Sequence, residues 1–138
     1  EKRGLTYGVS AHLALQDHAV LWQGGLASAN EKTADAIRVI RQVWRDAADK
    51  GVTEAELTAA KTYMTGSYPL RFDGNDNIAG ILVGMQMVGL PTDYVAHRNS
   101  LVEAVTLADV NRVARGLMTP DKLTFTVVGQ PVGVASDP

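Results

Sequence analysis

The sequence predicts an α+β fold in which an antiparallel sheet, a hairpin plus a late strand, is covered by about five helices. Three observations carry that expectation. Residues 6–13 alternate, with Tyr7, Val9, Ala11 and Leu13 on one side and Thr6, Gly8, Ser10 and His12 on the other, the period-two signature of a strand with one buried face. A long middle region repeats apolar residues at helical spacing between recognisable start and stop signals. Near the end, Leu123, Phe125 and Val127 alternate again.

The elements follow in order. After the first strand, a polar turn at Gln16, Asp17 and His18 leads into a second strand over residues 19–26, containing Val20, Leu21 and Trp22. Two strands joined by a short polar turn form a hairpin. Gly24 and Gly25 weaken the second strand and mark a bulge. Asn30 is placed to cap a helix, whose stripe is Ile37, Ile40, Val43, Trp44 and Ala47, closed by Lys50 and Gly51. Thr53 and Glu56 have capping-box spacing. The helix they open carries Leu57, Ala60 and Met64, with Ser67 and Tyr68 at its end, and stops at Pro69. Residues 71–77 read as a loop. Residues 78–88 form a helix that is apolar on most sides and therefore expected to be well buried, with Gly80 and Gly84 open to a close neighbour. Residues 94–105 form another helix, with Tyr94, His97, Leu101 and Val105 near one face. Thr106 and Asp109 make a second capping box, ahead of Val110, Val113, Ala114 and Leu117. Residues 123–128 form the last strand, and residues 130–138 are expected to be a flexible tail. Three strands make a small sheet for this much helix.

Composition narrows the function classes. The 138 residues suit one domain, and a 46% hydrophobic share supports a core. A net charge of -2 argues against a nucleic-acid partner, which needs a basic face. No apolar run reaches the ~18 residues of a membrane span. With no cysteine, disulfides, thiolate metal sites and cysteine catalysis are excluded. The chain opens on Glu1-Lys2-Arg3 and runs directly into a patterned segment, as expected for a start inside a structured region.

Motifs for self-contained chemistry do not assemble. Neither His-Glu-x-x-His nor its inverse occurs, so His12, His18 and His97 are read as solvated or packing histidines and no metal is expected in this chain. Ser67 follows Gly66 but lacks the Gly-x-Ser-x-Gly elbow. Gly84 and Gly89 have part of a phosphate-loop spacing, but Leu90 and Pro91 follow where Lys and Ser or Thr are required. Asp73, Asn75, Asp76 and Asn77 are oxygen-rich without completing a calcium loop. Tyr7 stands apart. It lies at the head of a strand beside Gly8, whose missing side chain leaves the backbone open to a ligand or another chain. A phenol there can donate a hydrogen bond to a developing oxyanion. Pattern alone favours the plainer reading, a tyrosine half-buried on the sheet face with its hydroxyl at the rim.

The stretch Glu1-Lys2-Arg3-Gly4-Leu5-Thr6-Tyr7-Gly8-Val9 resembles the signature of the pitrilysin or insulinase-like zinc peptidases (inverzincins) in their carboxy-terminal domain, in the bacterial processing-peptidase-like branch. Thr53 and Glu56, the run Gly66-Ser67-Tyr68-Pro69-Leu70-Arg71-Phe72 and the closing Thr124-Phe125-Thr126-Val127-Val128-Gly129 support it, so the resemblance covers residues 1–129. It implies a truncated half-domain of a two-domain clamshell. In that family an arginine seven positions before the motif tyrosine pairs with it, and the pair reaches a zinc site on another domain. The resemblance implies that Tyr7 is that tyrosine and that its arginine falls one position before Glu1; Arg3, four residues away, is not it. Zinc would sit in an amino-terminal domain or partner subunit, where a glutamate activates the metal-bound water. Tyr7 and Gly8 would contact the peptide substrate, with Tyr7 holding its carbonyl oxygen. The fragment alone is expected to be inert and to self-associate. Bacterial relatives of this type are often exported, which makes the periplasm the expected compartment. Two alternatives stand beside this reading: a non-catalytic scaffold subunit of the same family, and a free-standing binding domain unrelated to peptidases.

Overall fold

In the computed structural model, residues 4–16 and 18–135 are described; Glu1, Lys2, Arg3, Asp17, Ser136, Asp137 and Pro138, with what the sequence led us to expect of them, lie outside the described residues. The described elements are two strands, β1 (Val9–Leu15) and β2 (Val20–Leu26), and five α-helices: α1 (Thr33–Lys50), α2 (Glu54–Ser67), α3 (Asn75–Met87), α4 (Tyr94–Ala104) and α5 (Leu107–Leu117). The expected α+β composition is therefore present, with a two-stranded antiparallel sheet. The chain divides into two units, one of Glu1–Asp49 with Met118–Pro138 and one of Lys50–Leu117.

In the first unit, β1 and β2 pair from Val9 opposite Leu26 to Leu15 opposite Val20 without a bulge, although Gly24 and Gly25 predicted one. Gln16 N donates to Ala19 O at 2.9 Å and closes the turn. Directly opposed residues share a face, so Val9, Leu13, Leu15, Val20, Trp22 and Leu26 form one apolar face. Trp22 meets Trp44 of α1 with ring centroids 4.7 Å apart, a favourable tilted aromatic contact. Coverage is thin elsewhere: Val9 stays 70% exposed and Leu13 64%. The α1 stripe is half-buried at Ile37, Ile40, Trp44 and Ala47, whereas Val43 is exposed. Asn30 does not cap α1. It begins a 3-10 turn, Asn30–Lys32, behind Ala29, and no side chain makes a cap bond there.

Residues 123–128 form no strand, a correction to the expected third strand. Alternation makes a segment extended, but a strand also needs a hydrogen-bonded neighbour, and among the described residues β1 and β2 pair only with each other. Leu123 and Phe125 are nevertheless half-buried, and the Arg41 guanidinium lies 5.3 Å from the Phe125 ring centroid, a cation–π contact. Further on, Val132 N donates to Asn30 O at 3.0 Å.

In the second unit, Thr53 caps α2 in a complete capping box with Glu56. Three side chains tie α2 to α4. Lys61 Nζ donates to Glu103 O at 2.7 Å, Arg98 to Met64 O at 2.7 Å, and Asn99 Nδ2 to Thr65 O at 3.2 Å. Arg98 also lies 4.4 Å over the ring of Tyr68, whose edge meets Phe72. The covered side of α4 is thus Tyr94, Val95, Arg98, Asn99 and Val102, not the expected His97, Leu101 and Val105. Polar side chains take the inner positions because they satisfy the carbonyls that helix ends leave unpaired.

The stripe of α2 is buried at Leu57 but exposed at Ala60 and Met64. Burial of α3 is also less than its composition predicts. Met85 is its one buried residue, and a Cβ added at Gly80 or Gly84 would meet nothing within 4 Å. In α5, Ala114 is buried while Val113 and Leu117 are exposed. No described helix is long and apolar enough to cross a membrane.

Candidate functional site

The segment before β1 is held by side chains that reach its backbone from far along the chain. Gly4 turns it with φ +58°, a left-handed conformation that glycine adopts without strain. Lys32 Nζ donates to Gly4 O at 2.7 Å, and Ser28 Oγ donates to Leu5 O at 2.6 Å. The Thr6 hydroxyl accepts from Gly8 N at 3.1 Å, and its single proton serves either Gly8 O at 2.6 Å or Ala27 O at 2.7 Å. Both sides of Tyr7 are therefore anchored.

Tyr7 itself precedes β1 and is 100% exposed. This corrects the expectation of a half-buried tyrosine on the sheet face: the strand begins two residues later, at Val9, so the phenol has no sheet neighbours to pack on. A cavity of about 260 Å³ opens beside it, lined by Gly4, Leu5, Thr6, Tyr7, Ser28, Ala29 and Lys32. Gly8 has open space where a side chain would be, so its backbone can be approached from outside. Sequence reasoning selected Tyr7 and Gly8 and missed Ser28 and Lys32. Their bonds to Leu5 and Gly4 span 23 and 28 residues, and no local pattern announces such a pairing.

The other candidate groups do not converge. His12 stands opposite Gln23 in the hairpin, and His18 is exposed at its turn. His97 lies 3.8 Å from Asp93, one turn back on the exposed side of α4. Among the described residues, no three of His, Cys, Asp and Glu group so as to hold a metal ion. Ser67 is the last residue of α2, not the apex of a strand-to-helix turn. Asn77 Nδ2 donates to Asp73 O at 2.6 Å, a bond from the first turn of α3 back to the loop before it. The perturbed carboxylates both belong to the second unit. Hydrogen bonds from the Thr53 backbone and side chain lower the pKa of Glu56, and the Thr106 hydroxyl, then its backbone, lowers that of Asp109.

Comparison with known proteins adds an independent line. Residues 1–64 match the family described as Peptidase M16 inactive domain. The Non-peptidase homolog YmxG of Helicobacter pylori is 22% identical over 127 residues, which cover 92% of this chain and 29% of that protein. A protein named Uncharacterized zinc protease in Mycobacterium bovis is 30% identical over 119 residues, covering 86% of this chain and 27% of that protein, and its Mycobacterium tuberculosis counterpart matches equally. The chain thus spans less than a third of the length of these relatives. The chain is thus similar to the peptidase M16 family over residues 1–64 and to these relatives over most of its length.

Proposed function

We propose that this chain is part of the carboxy-terminal domain of an M16 metallopeptidase, residues 1–129 being the domain piece and residues 130–138 a tail. In this reading it supplies Tyr7 to a peptidase site whose zinc is held by another domain or a partner subunit. The observation that carries the proposal is the state of Tyr7: fully exposed, beside a cavity, on a segment pinned by Thr6, Ser28 and Lys32. A residue serving only to pack would not be presented this way. The Tyr7 hydroxyl donates a hydrogen bond to the scissile carbonyl oxygen and strengthens that bond as negative charge develops. Anchoring of the flanking backbone matters because such a donor contributes most when it is already in place. Open backbone at Gly8 gives the extended substrate room to lie alongside. Alone, the chain is inert.

In the full-length protein with its zinc-bearing domain or subunit, Tyr7→Phe should cut peptide turnover by about 10²–10³-fold, the usual effect of losing one oxyanion donor. The circular dichroism spectrum should not change. Turnover at the wild-type rate would end this assignment.

A second reading, a non-catalytic scaffold of the same family, draws on the words inactive domain in the family description and on the name Non-peptidase homolog. Zinc content and peptide cleavage by the full-length protein, with any partner subunit, separate the two. Bound zinc with cleavage supports the peptidase reading, and neither supports the scaffold.

A further inference from the structure

The cavity beside Tyr7 contains a cation that holding a carbonyl oxygen does not require. Lys32 lines it. One of its three ammonium protons goes to Gly4 O, which leaves two donors and the full positive charge. No carboxylate among the described residues forms an ion pair with it. The Ser28 and Thr6 hydroxyls direct their protons to backbone carbonyls. Lys32 is thus the charged group in this wall, with hydrogen-bonding capacity to spare. About 260 Å³ is room for a side chain, not for a whole cofactor.

The geometry points to Lys32 as a specificity-determining residue: the cavity takes a carboxylate of the peptide close to the bond whose carbonyl Tyr7 holds. The identity of the ligand as a peptide rests on the Tyr7 reading above; the preference for a carboxylate rests on Lys32. Its bond to Gly4 O, another lining residue, restrains the ammonium, which reduces the side-chain entropy lost when the anion arrives.

The test is equilibrium binding to the full-length protein, followed by fluorescence anisotropy with three fluorescein-labelled, alanine-rich peptides. One has a central Glu and an amidated end, one a central Gln and an amidated end, and one a central Gln and a free terminal carboxylate. At least one carboxylate peptide should bind about 1.5- to fivefold more tightly than the uncharged one, the range for a solvent-accessible ion pair. The ratio should shrink as salt is raised, and the peptide that shows it identifies a side-chain or a terminal carboxylate as the ligand. Lys32→Arg should keep the preference. Lys32→Gln, which retains a donor for Gly4 O, should abolish it. Equal binding of all three peptides, binding of none, or a preference that survives Lys32→Gln would overturn the assignment. Tyr7→Phe should leave the ratio between peptides unchanged. A preference lost only in Lys32→Gln, together with undiminished turnover in Tyr7→Phe, would remove the Tyr7 role and keep that of Lys32.

Discussion

Gly51 turns the chain out of α1 with φ +73°, and a Cβ there would lie 2.5 Å from the Asn111 side chain. That amide accepts from Val52 N at 2.7 Å and donates to Val52 O at 3.4 Å, pairing with the backbone much as a neighbouring strand would. Gly51→Ala combines backbone strain with displacement of this amide, and should destabilise by ~1–3 kcal/mol in denaturant titration. Asn111→Ala strips the partner from Val52 N and should cost about 1–2 kcal/mol. The sequence shows Gly51 as a helix stop, but its dependence on a residue 60 positions later is invisible there. At the other end of the chain, Gly8 is neither crowded nor in the left-handed region. Gly8→Ala should therefore leave stability within about 0.5 kcal/mol of wild type while lowering, on the proposed reading, any peptide turnover of the full-length protein. Unchanged turnover would show that the substrate does not use this stretch of backbone.

At the scale of elements, the most legible features are those closed within four residues. Thr53 with Glu56 and Thr106 with Asp109 were readable from spacing, and both form reciprocal boxes. Glu56 N donates to Thr53 Oγ1 at 3.2 Å while the Glu56 carboxylate accepts from Thr53 N at 2.8 Å, and Asp109 does the same with Thr106 at 3.2 Å in each direction. Thr53→Ala or Thr106→Ala should each cost ~1 kcal/mol. The boxes also fix a pH dependence. Both carboxylates have folded pKa values below their ordinary ones, so the unfolded chain binds protons more readily. Their contribution is complete above the ordinary carboxylate range and is lost as pH falls below about 4, through the depressed values. Thermal melts should show the Thr53→Ala penalty shrinking in acid by the share that its hydroxyl gives to the Glu56 carboxylate, while the share from Glu56 N to Thr53 Oγ1 persists; a penalty constant down to pH 2 would contradict this origin. Features that need a distant partner were less legible. Arg98 and Asn99 look like the outer face of α4 until the α2 carbonyls they reach are known. Residues 123–128 have the pattern of a strand and no strand beside them.

At the scale of the whole chain, the described residues bury little. The buried apolar residues are Ala36 in the first unit and Leu57, Tyr68, Met85 and Ala114 in the second, and no described side chain is fully enclosed. A core of this size stabilises a chain weakly. The exposed apolar residues include Val9, Leu13, Leu15 and Val20 on one face of the hairpin. Each hairpin strand also has one edge without a partner among the described residues, a row of free donors and acceptors that can template pairing with a second chain. Apolar face and open edge occur in the same strands, so a second copy can gain both burial and hydrogen bonds by docking there. The 14.7 kDa chain should therefore self-associate, with its weight-average mass in sedimentation equilibrium rising with concentration. Val9→Lys with Leu13→Lys places charge on this face at two positions that are already exposed, so helix content should persist while the association weakens. A monodisperse monomer at millimolar concentration would rule out this use of the hairpin. Loss of helix content in the double variant would instead mean that the hairpin face is needed for folding, and an unchanged association would place the contact on the exposed apolar sides of the helices, such as Val83 and Met87 of α3.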